Sequence, residues 1–260
     1  MTYNVHNFNG TDKPGHLPAH KKILKLINSY QPDIIGFQEF NSKNVIFRIC
    51  DSLKRTMRTN QFYFEPFMKT KWDSTGLALF SKYPITNHGI IRLSNNRDGN
   101  QVIYIDVKCK SQIIRVYTFH LQSLKLNEDD LDLSSFLRRS ISKPHTVKEL
   151  FHKLKMGFTL REQQVDIIRQ DAAKCPYPYI FMGDFNDTPG SYAFNQMATG
   201  MKNAFREKGT GIGKTFNGGF ASSQIDYILL SQQFSVLDYQ IIRKEISDHY
   251  PVLSDVMLTR

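Results

Sequence analysis

"PYPYIFMGDFNDTPG", residues 176–190, sets two carboxylates and a carboxamide within four positions directly behind an apolar run. The run 176–181 has the composition of a buried strand and Pro189 with Gly190 is turn-forming, so Asp184, Asn186 and Asp187 fall where a strand leaves the core. Taken alone, the cluster also suits an Asx-type turn, with Thr188 or Ser191 capping the next helix. A site would need partners from elsewhere in the chain.

Moving outward from this strand, the chain offers mostly further strands. "TYNVHNF" (2–8) alternates, "AHKKILKLINSY" (19–30) places Ile23, Leu24, Leu26 and Ile27 at helical spacing, and "PDIIGFQEF" (32–40) is a second apolar strand. A helix is predicted over roughly 43–58, and strands at "QFYFEPF" (61–67), "GLALFSKYPI" (76–85), "QVIYIDVKC" (101–109) and "QIIRVYTFHL" (112–121). The last two flank a hairpin-like "KSQ" link. A helix over roughly 158–174 leads into the opening strand, and the next is expected to start at Thr188 and Pro189. Strands return at "QIDYILLS" (224–231), "FSVLDYQIIR" (234–243) and "PVLSDVMLT" (251–259). Such alternation, giving way to strands, predicts mixed sheets covered by helices.

Neither an internal repeat nor a Gly/Ser linker divides the chain, so residues 1–260 are expected to form a single domain. Its one irregular stretch is a charged helical insertion at about 122–157, which begins acidic ("NEDDLD") and turns basic, with Leu137, Ile141, Leu150, Phe151 and Leu154 interleaved. This pattern suits either a solvated excursion or a face turned to substrate or an anionic membrane.

The length suffices for a sizeable core. Lys and Arg outnumber Asp and Glu by 34 to 24, a formal charge of +10 that favours anionic partners: nucleic acid, an anionic membrane surface or a phosphorylated small molecule. Cys50, Cys109 and Cys175 are too widely spaced for a disulfide framework or a zinc site. No apolar run is long enough to span a bilayer, and "MTYNVHNFNG" has no signal-peptide pattern. The chain enters a strand almost at once, so a longer parent protein is expected, with any targeting segment upstream of Met1.

Polar residues punctuate the predicted strand ends: Asn4 and His6, Gln38 and Glu39, His120 and Gln122, Asp184 with Asn186 and Asp187, Asp226, and Asp248 with His249. If the strands align, these ends converge on one rim, as metal-assisted phosphate chemistry requires. The set is rich in oxygen, which favours Mg2+, Mn2+ or Ca2+ over zinc. Singly, each has a bland role: Glu39 complements a helix dipole, and His120 or His249 serves as a satisfied structural residue. Asp226 resists that treatment, because a carboxylate inside "QIDYILL" needs a partner, and an imidazole held in one tautomer is a natural one.

In order, the asparagine of "TYNVHNF", "GFQEF", "TFHLQS", "GDFNDTP", "SQIDYILLS" and "SDHYPV" resemble the motifs of the endonuclease/exonuclease/phosphatase superfamily, which includes DNase I-like nucleases, deadenylases, sphingomyelinases and inositol polyphosphate phosphatases. The resemblance implies a four-layer α/β sandwich of two packed mixed β-sheets flanked by helices, and a divalent-metal-dependent phosphodiesterase or phosphatase. It assigns Glu39 and Asp248 to the metal with Asn4 at or beside it, and Asp184 and Asn186 to the attacking water and the phosphate, or to a second ion. His249, oriented by Asp226, would contact the phosphate or act as base, and His120 would stabilise or protonate the leaving side. His6 departs from the abasic-site endonucleases, which carry a carboxylate in this motif. The charged insertion resembles bacterial members that are exported or membrane-anchored. A nuclease is the first expectation on charge, with a lipid or sugar phosphoesterase as the alternative. No protein partner is implied, and a monomer is expected.

Overall fold

Central strands buried on both faces build the framework. The computed structural model describes residues 1–9, 17–42, 47–71, 74–93, 100–124, 144–218 and 223–259. In chain order the elements are β1 (Thr2–Asn4), α1 (Ala19–Tyr30), β2 (Ile34–Asn41), α2 (Phe47–Met57), β3 (Gln61–Lys69), β4 (Ser74–Ser81), β5 (Ile85–Arg92), β6 (Gln101–Cys109) and β7 (Gln112–His120). There follow α3 (Pro144–Ala172), β8 (Tyr179–Asp184), α4 (Tyr192–Ala198), β9 (Lys202–Asn203), α5 (Ala204–Lys208), β10 (Asp226–Leu230), β11 (Phe234–Ile241) and β12 (Val252–Leu258).

Two six-stranded mixed sheets result, in the orders β11-β12-β1-β2-β4-β3 and β5-β6-β7-β8-β10-β9. Each holds one parallel pair, β1 with β2 and β7 with β8. Within β4, Leu77 and Leu79 join the core between the sheets, whereas Ala78 and Phe80 face α1 and α2. Likewise Ile180 and Met182 of β8 point between the sheets, while Phe181 packs under α3 and α4 with Val165, Ile168 and Phe194. Burial on both faces explains why these strands read as continuous apolar runs. The outcome is the expected four-layer α/β sandwich.

Several boundaries differ from expectation. "GLALFSKYPI" is not one strand but two, β4 and β5, split at Ser81–Pro84, where the Tyr83 amide donates to Ser81 Oγ (2.9 Å) and the chain crosses from one sheet to the other. β1 stops at Asn4 because His6, Asn7 and Phe8 take left-handed φ of 44°, 53° and 58°. α3 begins at Pro144 rather than near 158, absorbing part of the predicted insertion, while 125–143 lie outside the described residues. The helix after β8 opens at Tyr192, not Thr188: Ser191 caps it, its Oγ accepting from the Phe194 amide (3.1 Å). Among the described residues, no helix is long and apolar enough to cross a membrane.

Candidate active site

The register of the second sheet assembles the site's floor. His120 ends β7, Asp184 ends β8 and Asp226 opens β10, and the pairings His120↔Asp184 and Asp184↔Asp226 put the three in one row across adjacent strands. Residues directly opposite in a ladder present side chains to the same face. The first sheet contributes Asn4, at the end of β1 opposite Gln38, and Glu39, which follows in a bulge of β2 with a left-handed φ of 49°. Gln38 itself is buried structure, its amide donating to Thr118 Oγ1 of the facing sheet (2.7 Å). The segment between β11 and β12 closes the ring with Asp248 and His249.

Asn4 ties the sheets together: its side-chain Nδ2 donates to Glu39 Oε1 (3.2 Å) and to Asp184 Oδ2 (3.0 Å), while its Oδ1 accepts from the His6 amide. His249 Nδ1 lies 2.9 Å from Asp226 Oδ2, the imidazole partner that a carboxylate in an apolar strand requires, and its Nε2 lies 3.7 Å from Asp184 Oδ2. His120 Nε2 is 3.6 Å from both Glu39 and Asp184, and Asn186 Nδ2, 3.1 Å away, also donates to the Leu121 carbonyl (2.9 Å). Asp248 pairs with His6 at 2.7 Å. His6, Glu39, His120, Asp184, Asn186 and His249 all line one cavity of about 710 Å³.

Packing so many charges together shifts their protonation. Burial opposes the charged form of His249, but Asp226 and Asp184 outweigh it and push the imidazole up to about 10. Burial also raises the Asp184 carboxyl above the usual range, with Asp226 adding to the effect and His249 opposing it. At Asp248, burial is overcome by the hydrogen bond from His6 and the charge of His249, so that carboxyl lies below its ordinary value.

Among the described residues, the ligand atoms of Asp184, Asp226 and His249 lie within 4.8 Å of one another, a buried group able to hold a metal ion. Asp226 Oδ1 is buried without a hydrogen-bond partner. Glu39 and Asp248 are more open, with side chains 26% and 33% exposed. These oxygen donors fit a hard divalent cation.

Other contributors escaped the sequence reading. Ser247 Oγ stands 3.0 Å from both the Asn4 carbonyl and Asp248 Oδ1, and Asn7 reaches Glu39 Oε2 at 3.4 Å. Both lie inside quoted motifs, which was the available signal. Asp187 belongs to the turn: its Oδ1 accepts from the Thr188 amide (3.0 Å), and its Oδ2 pairs with Arg161, a helical residue that no motif marked.

A sequence profile described as the Endonuclease/Exonuclease/phosphatase family matches residues 1–249. No curated protein matches the chain in sequence. An endonuclease/exonuclease/phosphatase from Bacteroides vulgatus superposes with a TM-score of 0.72 at 19% identity, covering 99% of this chain and 97% of that one. A mannosyl-6-phosphatase from Bacteroides thetaiotaomicron gives 0.68 at 16% identity, over 99% and 98%. The human Nocturnin catalytic domain, solved with a bound sulfate anion, gives 0.65 at 18% identity, over 92% and 87%. At such identities the likeness is one of fold.

Proposed function

The chain belongs to the endonuclease/exonuclease/phosphatase family, and from that premise we propose that it is a divalent-metal-dependent phosphoesterase whose preferred substrate is a nucleic-acid phosphodiester. One observation carries this: the row His120, Asp184 and Asp226, completed by His249, meets Glu39 and Asn4 of the other sheet, and His120, Asp184, His249, Glu39 and Asp248 open onto a single cavity. Within the proposed single domain, Glu39 and Asp248 would hold the ion with Asn4 beside it. Bound there, Mg2+ or Mn2+ would neutralise charge on the phosphoryl oxygens.

The chain's own residues supply the rest. Asp184, its proton affinity raised by burial, accepts the proton of a water whose oxygen attacks phosphorus. His249, kept cationic by Asp226, donates to a phosphoryl oxygen. His120 serves the leaving side: its Nε2 accepts from Asn186 Nδ2, which holds the imidazole toward the cavity, and once that contact opens and Nε2 has taken a proton from solvent it gives that proton to the leaving oxygen as the P–O bond breaks.

The test is hydrolysis of bis(p-nitrophenyl) phosphate. Turnover should require Mg2+ or Mn2+, vanish in EDTA, and fall by about 10²- to 10⁴-fold in Glu39→Ala or His249→Ala; persistence in those variants refutes the assignment. A second reading, a lipid phosphodiester at an anionic membrane surface, draws support from Phe151, Phe158 and Tyr192, which are 68%, 48% and 59% exposed along a groove that shares Phe158 with the site cavity. Vesicle co-sedimentation of the intact chain and one lacking 122–157 separates the two, since equal binding removes the membrane role.

A further inference from the structure

The parallel pairing of β7 with β8 ends at His120↔Asp184, and the last backbone rung beyond it is the Leu121 amide on the Asp184 carbonyl (3.0 Å). Past that point two loops must stay in register, because one carries His120 into Gln122 and the other carries Asn186. Asn186 adds a side-chain rung by donating to the Leu121 carbonyl at 2.9 Å, and its own left-handed φ of 50° leaves its loop in need of external support.

Arg161 of α3 supplies the next rung. Its Nη1 donates to the Gln122 carbonyl (2.8 Å) and its Nε to Asp187 Oδ2 (2.9 Å), so one guanidinium grips both loops immediately beyond His120 and Asn186. One turn along the helix, Gln164 Oε1 accepts from the Gln122 amide (2.9 Å), fixing that residue from its other side. The grip is dry: the Arg161 side chain is 0% exposed and Asp187 5%, with the Phe158 ring 5.1 Å from the guanidinium carbon. A well-packed apolar pair stabilises a fold as well as a buried ion pair does, so what the pair adds here is direction and distance.

We propose that Arg161 is a positioning residue for the phosphoester chemistry, acting through the Gln122 and Asp187 loops to set the His120 and Asn186 pair. This rests on the hydrolase reading above. Arg161→Lys retains a cation for Asp187 but cannot grip both loops, and Gln164→Leu removes the second hold on Gln122.

The test compares both variants with the wild type on bis(p-nitrophenyl) phosphate and on a diester with a poorer phenolic leaving group, alongside amide hydrogen exchange. Cooperative melting should persist. For Arg161→Lys, kcat should fall by about 10²-fold, the scale of a 1 Å misplacement, with KM nearly unchanged. The loss should be greater for the poorer leaving group, because His120 serves the leaving oxygen. Exchange at the Gln122 and Thr188 amides should accelerate while α3 stays protected.

An unchanged kcat overturns the proposal, and so does a rise in KM alone, which would make Arg161 a direct substrate contact through its unpartnered Nη2. If the wild type cleaves no phosphate ester, the hydrolase reading fails while the exchange result still decides the loop clamp. Should Arg161→Lys not fold, the charge-free double variant Arg161→Met with Asp187→Leu takes its place, with the same kcat loss expected; full activity in that folded variant overturns the proposal.

Discussion

Glu39 holds a conformation that its own side chain disfavours. A non-glycine residue at a φ of 49° costs about 1–2 kcal/mol, and here the carboxylate also stands against the buried Asp184 network through Asn4. The bulge in β2 is what turns it into the cavity. Glu39→Gly and Glu39→Ala, which both lose the carboxylate and its contacts, should abolish metal-dependent turnover, and the glycine variant should melt about 2 °C or more above the alanine one; equal melting of the two would show that the strain is not there. Single residues differed in how far the sequence exposed them. Asp226 was legible because a carboxylate in an apolar strand demands a partner, and His249 is that partner. The pairing of His6 with Asp248 was not, since 242 positions separate them and nothing local in either motif requires the other. Arg161 was hidden for a different reason: on a helix, an arginine reads as solvated, and only the convergence of two loops beneath it makes burial tolerable.

At the scale of elements, β8 is the axis of the site, and its glycine sets how closely β7 can approach. A Cβ at Gly183 would run into the backbone carbonyl of Phe119, the residue before His120. Gly183→Ala should push β7 and β8 apart where they deliver His120 and Asp184, destabilising the protein by about 1–3 kcal/mol and lowering kcat, as read by denaturant melts and steady-state assays. Wild-type stability in that variant would mean the strands can shift freely. β8 was readable because both its faces are buried, as "YIFM" declares, and α1 because its apolar stripe matches one helical face. The split between β4 and β5 was not drawn from the sequence, although Ser81, Lys82 and Pro84 interrupt the apolar run where the chain changes sheets. The start of α3 was legible in part: a helical insertion was expected, with Leu150, Phe151 and Leu154 at helical spacing, but not that it runs unbroken into the helix expected from 158.

For the whole molecule, the decisive feature is a mismatch of charge between surface and site. The net charge is +10, yet the cavity is walled by Glu39, Asp184 and Asp248. A small phosphomonoester meets mainly this local, acidic wall, tempered by His249 and by the cation proposed for Glu39 and Asp248. A polyanion also meets the basic exterior, including exposed Lys148, Lys153 and Lys155 on α3, whose residue Phe158 lines the same cavity. Each lysine or arginine that neutralises a backbone phosphate releases counterions, so binding of the polymer must weaken as salt rises, whereas the monoester, touching few cations, is nearly indifferent. For cleavage of single-stranded DNA or RNA, kcat/KM should fall about tenfold or more between ~50 and ~200 mM salt, while turnover of a sugar phosphate changes by about twofold or less. Equal salt slopes for the two would mean that the basic exterior takes no part in substrate capture, and would move the preferred substrate from the polymer to the small ester.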